Sequence, residues 1–133
     1  MDLKQFDVVS AAEEGATLML RDPVTGNALD ATITVVGSDS ERYRSAQSEE
    51  QMKLLRRKQT GEKVDADEWR EQASRILSRA TIGWTNVTEG EKELECNERN
   101  ARYIYSTYPW VREQVDKFIN ERSNFLSPSP NGL

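Results

Sequence analysis

Two groups of carboxylates are the residues of this chain whose spacing could support metal binding or acid–base catalysis. Asp65, Asp67 and Glu68 form the denser group, and glutamates recur at every second position between residues 89 and 95. A calcium loop needs carboxylates at alternating positions and a distal glutamate, a pattern that residues 65–68 lack. Helix capping accounts for these three acids, and an extended solvated turn accounts for the alternating glutamates. Acid pairs of the glycosidase type are defined by a distance in space, which sequence separation does not give. We therefore predict neither a metal site nor a catalytic carboxylate pair.

A nucleophilic enzyme is also disfavoured by the composition. Cys96 is the sole cysteine, and the 133 residues include no histidine that could activate a thiol or hydroxyl. Glu95 and Glu98 stand close to Cys96 in sequence, and nearby carboxylates make a thiolate less favourable. The glycines are scattered rather than clustered in a phosphate-binding loop. We expect no catalytic residue, no cofactor and an ordinary structural or surface role for Cys96.

The three tryptophans are the residues best suited to binding another protein. Tryptophan is large, often only partly buried, and enriched in interface hot spots. Trp69 and Trp110 stand at helical spacing from other apolar residues, which favours a position in the core. Trp84 follows Gly83 at the expected exit of a helix, so the pattern leaves a core position and an interface position both open.

The composition and charge narrow the class of protein. Apolar residues make up 36% of the chain and charged residues 31%, a balance typical of a thin helical layer or an oligomerising subunit. The net charge of −5 opposes sequence-independent nucleic-acid binding, which needs Lys and Arg to neutralise phosphates. The basic run at residues 56–58 is interpreted as a solvated helix face. Since no apolar stretch is long enough for a signal peptide or a membrane span, we expect a cytoplasmic protein without membrane or nucleic-acid partners.

A β-hairpin is predicted over residues 16–36. Apolar residues alternate with polar ones on both sides of a turn at residues 22–27, as in half-buried strands. Asp-Pro opens such turns because proline fixes its own φ, and Gly-Asn tolerates positive φ. A two-stranded sheet alone is marginal in water. A further strand from residues 6–9 or from another subunit therefore remains open. For the first fifteen residues the pattern allows either a short strand or a short helix that ends near Gly15.

Two helices are predicted after the hairpin. The first, residues 41–58, has mixed charges and no clean apolar stripe, so we expect it to be exposed, mobile or covered by another chain. The second, residues 65–80, begins with a capping box from Asp65 to Glu68. Its spacing places five apolar residues on one face: Trp69, Ala73, Ile76, Leu77 and Ala80.

Two more helices complete the predicted fold. One begins near Asn97, and Pro109 both ends it and suits the first turn of the next helix. That last helix is expected to reach about residue 125 with one core side: Val111, Val115, Phe118, Ile119 and Arg122. The prediction is a mainly helical α+β domain, residues 1–126, with an N-terminal β-hairpin followed by about four helices. Residues 127–133 are predicted to be a disordered tail.

An ordered set of short segments resembles the tail assembly chaperones of long-tailed bacteriophages (siphophages). The N-terminal part of the resemblance runs from Glu14-Gly15-Ala16 through Asp22-Pro23-Val24-Thr25-Gly26 to Ile33-Thr34-Val35-Val36-Gly37. The C-terminal part consists of Ile82-Gly83-Trp84-Thr85-Asn86-Val87, Asn100-Ala101, Tyr108-Pro109-Trp110, Arg112-Glu113-Gln114-Val115 and Arg122-Ser123-Asn124-Phe125. Together these segments cover most of the chain, and residues 38–64 are the least distinctive.

This resemblance implies a non-catalytic role in building the phage tail. Members of the family coat the long tape measure protein, keep it soluble, and give way as tail tube subunits polymerise around it. A longer product of programmed frameshifting commonly links the tape measure protein to the tail tube protein. The resemblance thus implies action in the cytoplasm of the infected bacterium and absence from the mature virion.

Three aromatic residues, the small apolar fraction and the open edges of the hairpin lead to hypotheses about partners. We predict that Trp84, Trp110 and Phe125 contribute to the face that binds the tape measure protein. The small apolar fraction and the open edges of the hairpin also predict self-association. Two other roles remain open from the charge and size alone: an acidic phage regulatory protein that binds a host factor, and a head–tail connector subunit.

Overall fold

A short helical segment precedes the hairpin. The computed structural model describes residues 1–126, and it opens with a 3-10 turn at Leu3–Phe6 followed by helix α1 at Val8–Glu14. The side chain of Asp7 accepts a hydrogen bond from the Ser10 amide at 3.1 Å and so caps α1. Of the two alternatives for this segment, the helix that ends near Gly15 is the one that forms, and residues 6–9 add no strand to the hairpin.

The predicted hairpin is confirmed. Strand β1 spans Ala16–Arg21 and strand β2 spans Ala28–Val35, paired antiparallel with Ala16 opposite Val35. At the turn the Asp22 carboxylate accepts hydrogen bonds from the amides of Val24 and Thr25, at 2.8 and 3.1 Å. Gly26 takes a φ of 77°, a conformation that glycine adopts readily.

A third strand converts the hairpin into a sheet. Strand β3, Thr81–Thr85, pairs antiparallel with β2 and places Trp84 opposite Ile33, in the sheet order β1-β2-β3. Trp84 was expected just beyond the end of a helix; the helix ends at Ala80, and strand pairing, which was not predicted, begins directly after it. Hydroxyl pairs on the sheet, Thr17 with Thr34 at 2.8 Å and Thr32 with Thr85 at 2.6 Å, join neighbouring strands.

Charged side chains join the two helices that follow the hairpin and precede β3. Helix α2 spans Glu41–Gln59 and α3 spans Ala66–Ala80. Glu50 of α2 is only 3% exposed, and its carboxylate accepts hydrogen bonds from Arg75 at 2.6 Å and Lys53 at 3.1 Å. Burial opposes ionisation of Glu50 and is the largest single influence, but the hydrogen bonds from Arg75 and Lys53 and the attraction of their charges together outweigh it and lower the pKa. Helix α2 is thus held by ion pairs as well as by its buried apolar side chains Tyr43, Ala46 and Leu54.

Short strands and two helices form the rest of the described chain. Strands β4, Thr88–Glu89, and β5, Lys92–Glu93, make a two-stranded ladder where the sequence predicted only a polar turn. Helix α4 spans Glu98–Thr107 and α5 spans Pro109–Ile119, with Pro109 in the first turn as predicted. A 3-10 turn follows at Arg122–Asn124.

The last helix ends earlier than the sequence predicted. The chain leaves the α5 helix after Ile119, where the Asn120 side chain donates to the Asp116 carbonyl at 2.8 Å. Arg122 was expected on the core side, which is wrong: it is exposed and pairs with Asp39 at 2.7 and 3.0 Å. Asn120 is the C-cap of the helix, and its side chain satisfies a carbonyl of the last turn.

One hydrophobic core lies between the sheet and helices α3, α4 and α5. Its largest fully buried residue, Tyr105, shares a hydrogen bond with the Thr81 hydroxyl at 2.6 Å. The fully buried aliphatic side chains include Ile33 and Val35 from β2 and Val115 and Ile119 from α5. The predicted mixed, mainly helical architecture is confirmed, and the tail predicted at residues 127–133 lies outside the described residues.

Candidate binding site

An apolar cavity lies where the sheet meets α4 and α5. Its volume is about 140 Å³, and its walls come from both hairpin strands, the segment after β3 and the two C-terminal helices. The lining residues are Leu20, Leu29, Ala31, Ile33, Asn86, Val87, Thr88, Ile104, Tyr108, Trp110 and Val111. Asn86 and Thr88 are the small polar residues of the lining, Tyr108 and Trp110 each combine a polar group with a large apolar ring, and the other lining residues are aliphatic. The cavity therefore favours an apolar group.

The position of Trp110 follows from the break between the two helices. Pro109 occupies the first turn of α5, where its missing N–H leaves no hydrogen bond unmade. Trp110 is therefore the second residue of a new helix, and it lines the cavity. The Arg112 guanidinium donates to the Tyr105 carbonyl at 3.0 Å and fixes the junction between α4 and α5.

A carboxylate and two tyrosines fasten the β4–β5 hairpin beside this cavity. The hydroxyls of Tyr103 and Tyr108 donate to the same oxygen of Glu89, at 2.7 and 2.5 Å. Both hydrogen bonds lower the pKa of Glu89, and the bond from Tyr108 has the larger effect. In return, the hydrogen bond to the Glu89 carboxylate raises the pKa of Tyr108 to about 12. We call these three residues the Glu89 latch.

The three residues predicted to bind a partner lie at three different places. Trp110 lines the apolar cavity. Trp84 donates its indole N–H to the Leu94 carbonyl at 2.8 Å and borders a shallow depression with Cys96. Phe125 packs edge-on against Phe118, with ring centroids 5.6 Å apart. All three side chains are half-buried and pack against the core. Each has different neighbours, so the three do not share one pocket.

Trp69 departs from its predicted position in the core. The side chain is 49% exposed near the start of α3, where the Lys58 ammonium lies 5.7 Å from its ring centroid. Ile76, Leu77 and Ala80 from the same predicted face are buried. The predicted apolar face of α3 is therefore correct for the C-terminal half of the helix. The N-terminal end of the helix extends beyond the core, which leaves Trp69 exposed.

Sequence reasoning missed the Glu89 latch. Glu89 was grouped with the other alternating glutamates, and nothing local separates it from them. Its partners Tyr103 and Tyr108 follow at separations of 14 and 19 residues, and only the fold brings the three together.

The other chemical candidates have structural roles. The Asp65 carboxylate accepts from the Glu68 amide at 3.0 Å and caps α3, as predicted. Glu68 pairs with Arg57 at 2.7 Å, and burial raises the pKa of Cys96, which disfavours its thiolate. Within residues 1–126, acids and Cys96 form no group of three that could hold a metal ion.

Comparison with known proteins adds no relative to these observations. No protein-family model, curated protein or solved structure is significantly similar to the chain. None of the helices in the described part of the chain combines the length and apolarity that a membrane crossing requires.

Proposed function

We propose that this chain is a non-catalytic tail assembly chaperone that binds an amphipathic helix of a phage tape measure protein. The observation that supports this best is the apolar cavity beside Trp110. The proposal also draws on the resemblance of residues 14–37 and 82–125 to that family.

The size and chemistry of the cavity suit one apolar side chain from a partner. Pockets for cofactors and drug-sized ligands usually measure about 300–1,000 Å³, and this cavity measures about 140 Å³. A helix that lies in a groove is held by a few apolar anchors, and a buried anchor in a well-packed pocket carries a large share of the affinity. The cavity therefore fits a leucine-like or phenylalanine-like anchor of an amphipathic helix.

A single small anchor site also fits a chaperone that must be displaced. Tail tube subunits replace the chaperone as they polymerise, so each contact has to be modest and repeated along the tape measure protein by many copies. In this proposal a frameshifted, longer form recruits tail tube subunits, and the complex acts in the cytoplasm of the infected bacterium and is absent from the virion.

The test fills the cavity by substitution and measures whether the tape measure protein still stays soluble. Ala31→Leu places extra methyl groups into the cavity, and Ala31→Val is a smaller change should the larger side chain impair folding. Ala28→Leu is the matched control, because Ala28 lies on the same strand and is exposed. Each variant is co-expressed with the tape measure protein encoded in the same genome, after its circular dichroism and Tm have been compared with the wild type.

We expect wild-type chain and Ala28→Leu to keep the tape measure protein soluble and to co-purify with it. A folded Ala31 variant should leave most of that protein insoluble. Equal solubilisation by folded Ala31 variants would show that the cavity is not the site. Failure of the wild-type chain itself to retain or solubilise the tape measure protein would contradict the proposed function.

A further inference from the structure

One face of α2 is exposed along its whole length and carries apolar residues at its C-terminal end. Residues spaced alternately by four and three share this face: Glu41, Ser45, Ser48, Met52, Leu55 and Gln59. All six are exposed, and Met52 and Leu55 are 53% and 49% exposed. Large apolar side chains grouped on a surface mark an interaction site more often than isolated ones do.

The N-terminal half of this face lies in an acidic and partly apolar environment. Val9 and Glu13 of α1 border a groove with Asp39 and with the α2 residues Glu41, Arg44, Ser45, Ser48 and Glu49. Phe6 and Val9 are 55% and 43% exposed. Residues 2–14 carry four acids and one base. We call this region the acidic end of the α2 face.

The C-terminal half of the same face is basic. Residues 53–63 carry five bases and one acid, whereas the rest of the chain carries 13 bases and 22 acids. Two of these bases lie one helical turn from the apolar side chains, Arg56 beside Met52 and Lys58 beside Leu55, and both are exposed. Lys53 and Arg57 pair with Glu50 and Glu68. We call this region the basic end of the α2 face, and it stands in contrast to the acidic end on the same helix.

We propose that two copies of this chain form a closed dimer in which their α2 helices lie antiparallel, side by side. A twofold axis near the middle of α2 places the acidic end of each copy against the basic end of the other. A self-complementary face of this kind closes at two subunits. Opposite charges set the register, and Met52 and Leu55 are covered by the partner together with Phe6 and Val9.

Within one chain the acidic and basic ends of the α2 face cannot contact each other. They can pair only between two copies. Helix α2 has 19 residues and is therefore about 28 Å long, with the two ends held apart by a continuous helix. Its ion pairs with α3, Glu50–Arg75 at 2.6 Å and Arg57–Glu68 at 2.7 Å, fix its position in the fold. This inference does not depend on the proposed chaperone function.

Sedimentation equilibrium with charge-exchange variants tests the dimer. The weight-average mass of the wild type should rise with concentration from 15.2 kDa to about twice that value and no further, and high salt should weaken the association. Glu13→Arg and Arg56→Glu should each shift the chain to monomer, and the double variant should recover the dimer because each end again meets its opposite charge.

Apolar variants supply a second, independent test. Leu55→Asp should abolish the dimer, whereas Val24→Asp should leave it intact, because Val24 is 91% exposed in the β1–β2 turn and not on α2. Circular dichroism checks that every variant is folded. A wild type that remains monomeric at millimolar concentration, a mass that passes beyond the dimer, or a charge-exchange double variant that stays monomeric would each overturn the proposal.

Discussion

At the scale of single residues, most of the polar side chains that suggest chemistry are used to fix the fold. Asp7, Ser40 and Asp65 accept hydrogen bonds from backbone amides at the starts of helices. Each satisfies an amide that a helix leaves without a partner. Gln114 pairs with both the N–H and the carbonyl of Arg21 at 2.9 Å, and so occupies part of the open edge of β1.

The Glu89 latch gives stability a dependence on pH that can be measured. Because the pKa of Glu89 is lowered in the fold, its contribution is present above the ordinary value of 4.5 and is lost as pH falls through the lower folded value. The pKa of Tyr108 is raised to about 12, so its contribution is present below 10 and is lost as pH rises towards 12. Both contributions need the Glu89 carboxylate.

We expect Glu89→Gln to lower Tm at neutral pH. The variant should also show a weaker loss of stability than the wild type at acidic pH and at alkaline pH. Glu91→Gln is the matched control, since Glu91 is exposed in the turn of the same hairpin. Thermal unfolding of the three proteins between pH 3 and pH 11 makes the comparison. Superimposable profiles for wild type and Glu89→Gln would contradict the role of the latch.

At the scale of elements, α2 is joined to α3 by ion pairs, one of which is almost fully buried. Glu50 is almost fully buried, and Arg75, whose side chain is 22% exposed, connects it to Glu68 at 3.2 Å. Removing one member of a buried pair leaves the other charge desolvated and unpaired. Among the ion pairs between α2 and α3, the pair made by Glu50 is therefore the one whose loss should cost most.

We expect Glu50→Ala to cost about 3 kcal/mol of unfolding free energy, the order found when a buried pair is broken. Glu49→Ala is the comparison: Glu49 pairs with Arg79 at 2.5 Å but its side chain is 59% exposed. Exposed pairs contribute under about 1 kcal/mol. Urea unfolding measures both variants, and equal costs would show that burial of Glu50 does not set the strength of the pair.

At the scale of the whole molecule, three distant parts of the chain meet around Gly37. Its amide donates to the Ala12 carbonyl at 2.9 Å, and the Ser38 amide donates to the Ile119 carbonyl at 3.2 Å. The Phe125 ring also reaches this glycine. The start of the chain, the end of β2 and the C-terminal turn thus share one junction.

Gly37→Ala tests whether this junction is tightly packed. An added Cβ would lie 2.9 Å from the Ala12 Cβ and 3.2 Å from a Phe125 ring carbon, so neighbouring atoms have to move. We expect a loss of about 1–3 kcal/mol of unfolding free energy, as for other overpacked sites. Gly83→Ala is the control, because its added Cβ meets nothing nearer than 4.0 Å. Unchanged stability of Gly37→Ala would contradict tight packing at the junction.

The sequence by itself determined the elements whose signals are local. Alternation located both strands of the hairpin, Asp22 and Gly26 located its turn, and Asp65 and Pro109 located the starts of α3 and α5. These predictions succeed because a turn, a cap or a periodic face depends on neighbours within a few residues. The mixed, mainly helical fold class followed from the same signals.

Only the tertiary structure decided what depends on contacts distant in the sequence. Pairing with β2 places Trp84 in a strand, although its local sequence indicated only the end of a helix. Trp69 is exposed because the core does not extend to the N-terminal end of α3. The cavity beside Trp110 and the latch on Glu89 exist because separate elements converge there. Packing of this kind is set by the whole chain, and no local pattern of residues encodes it.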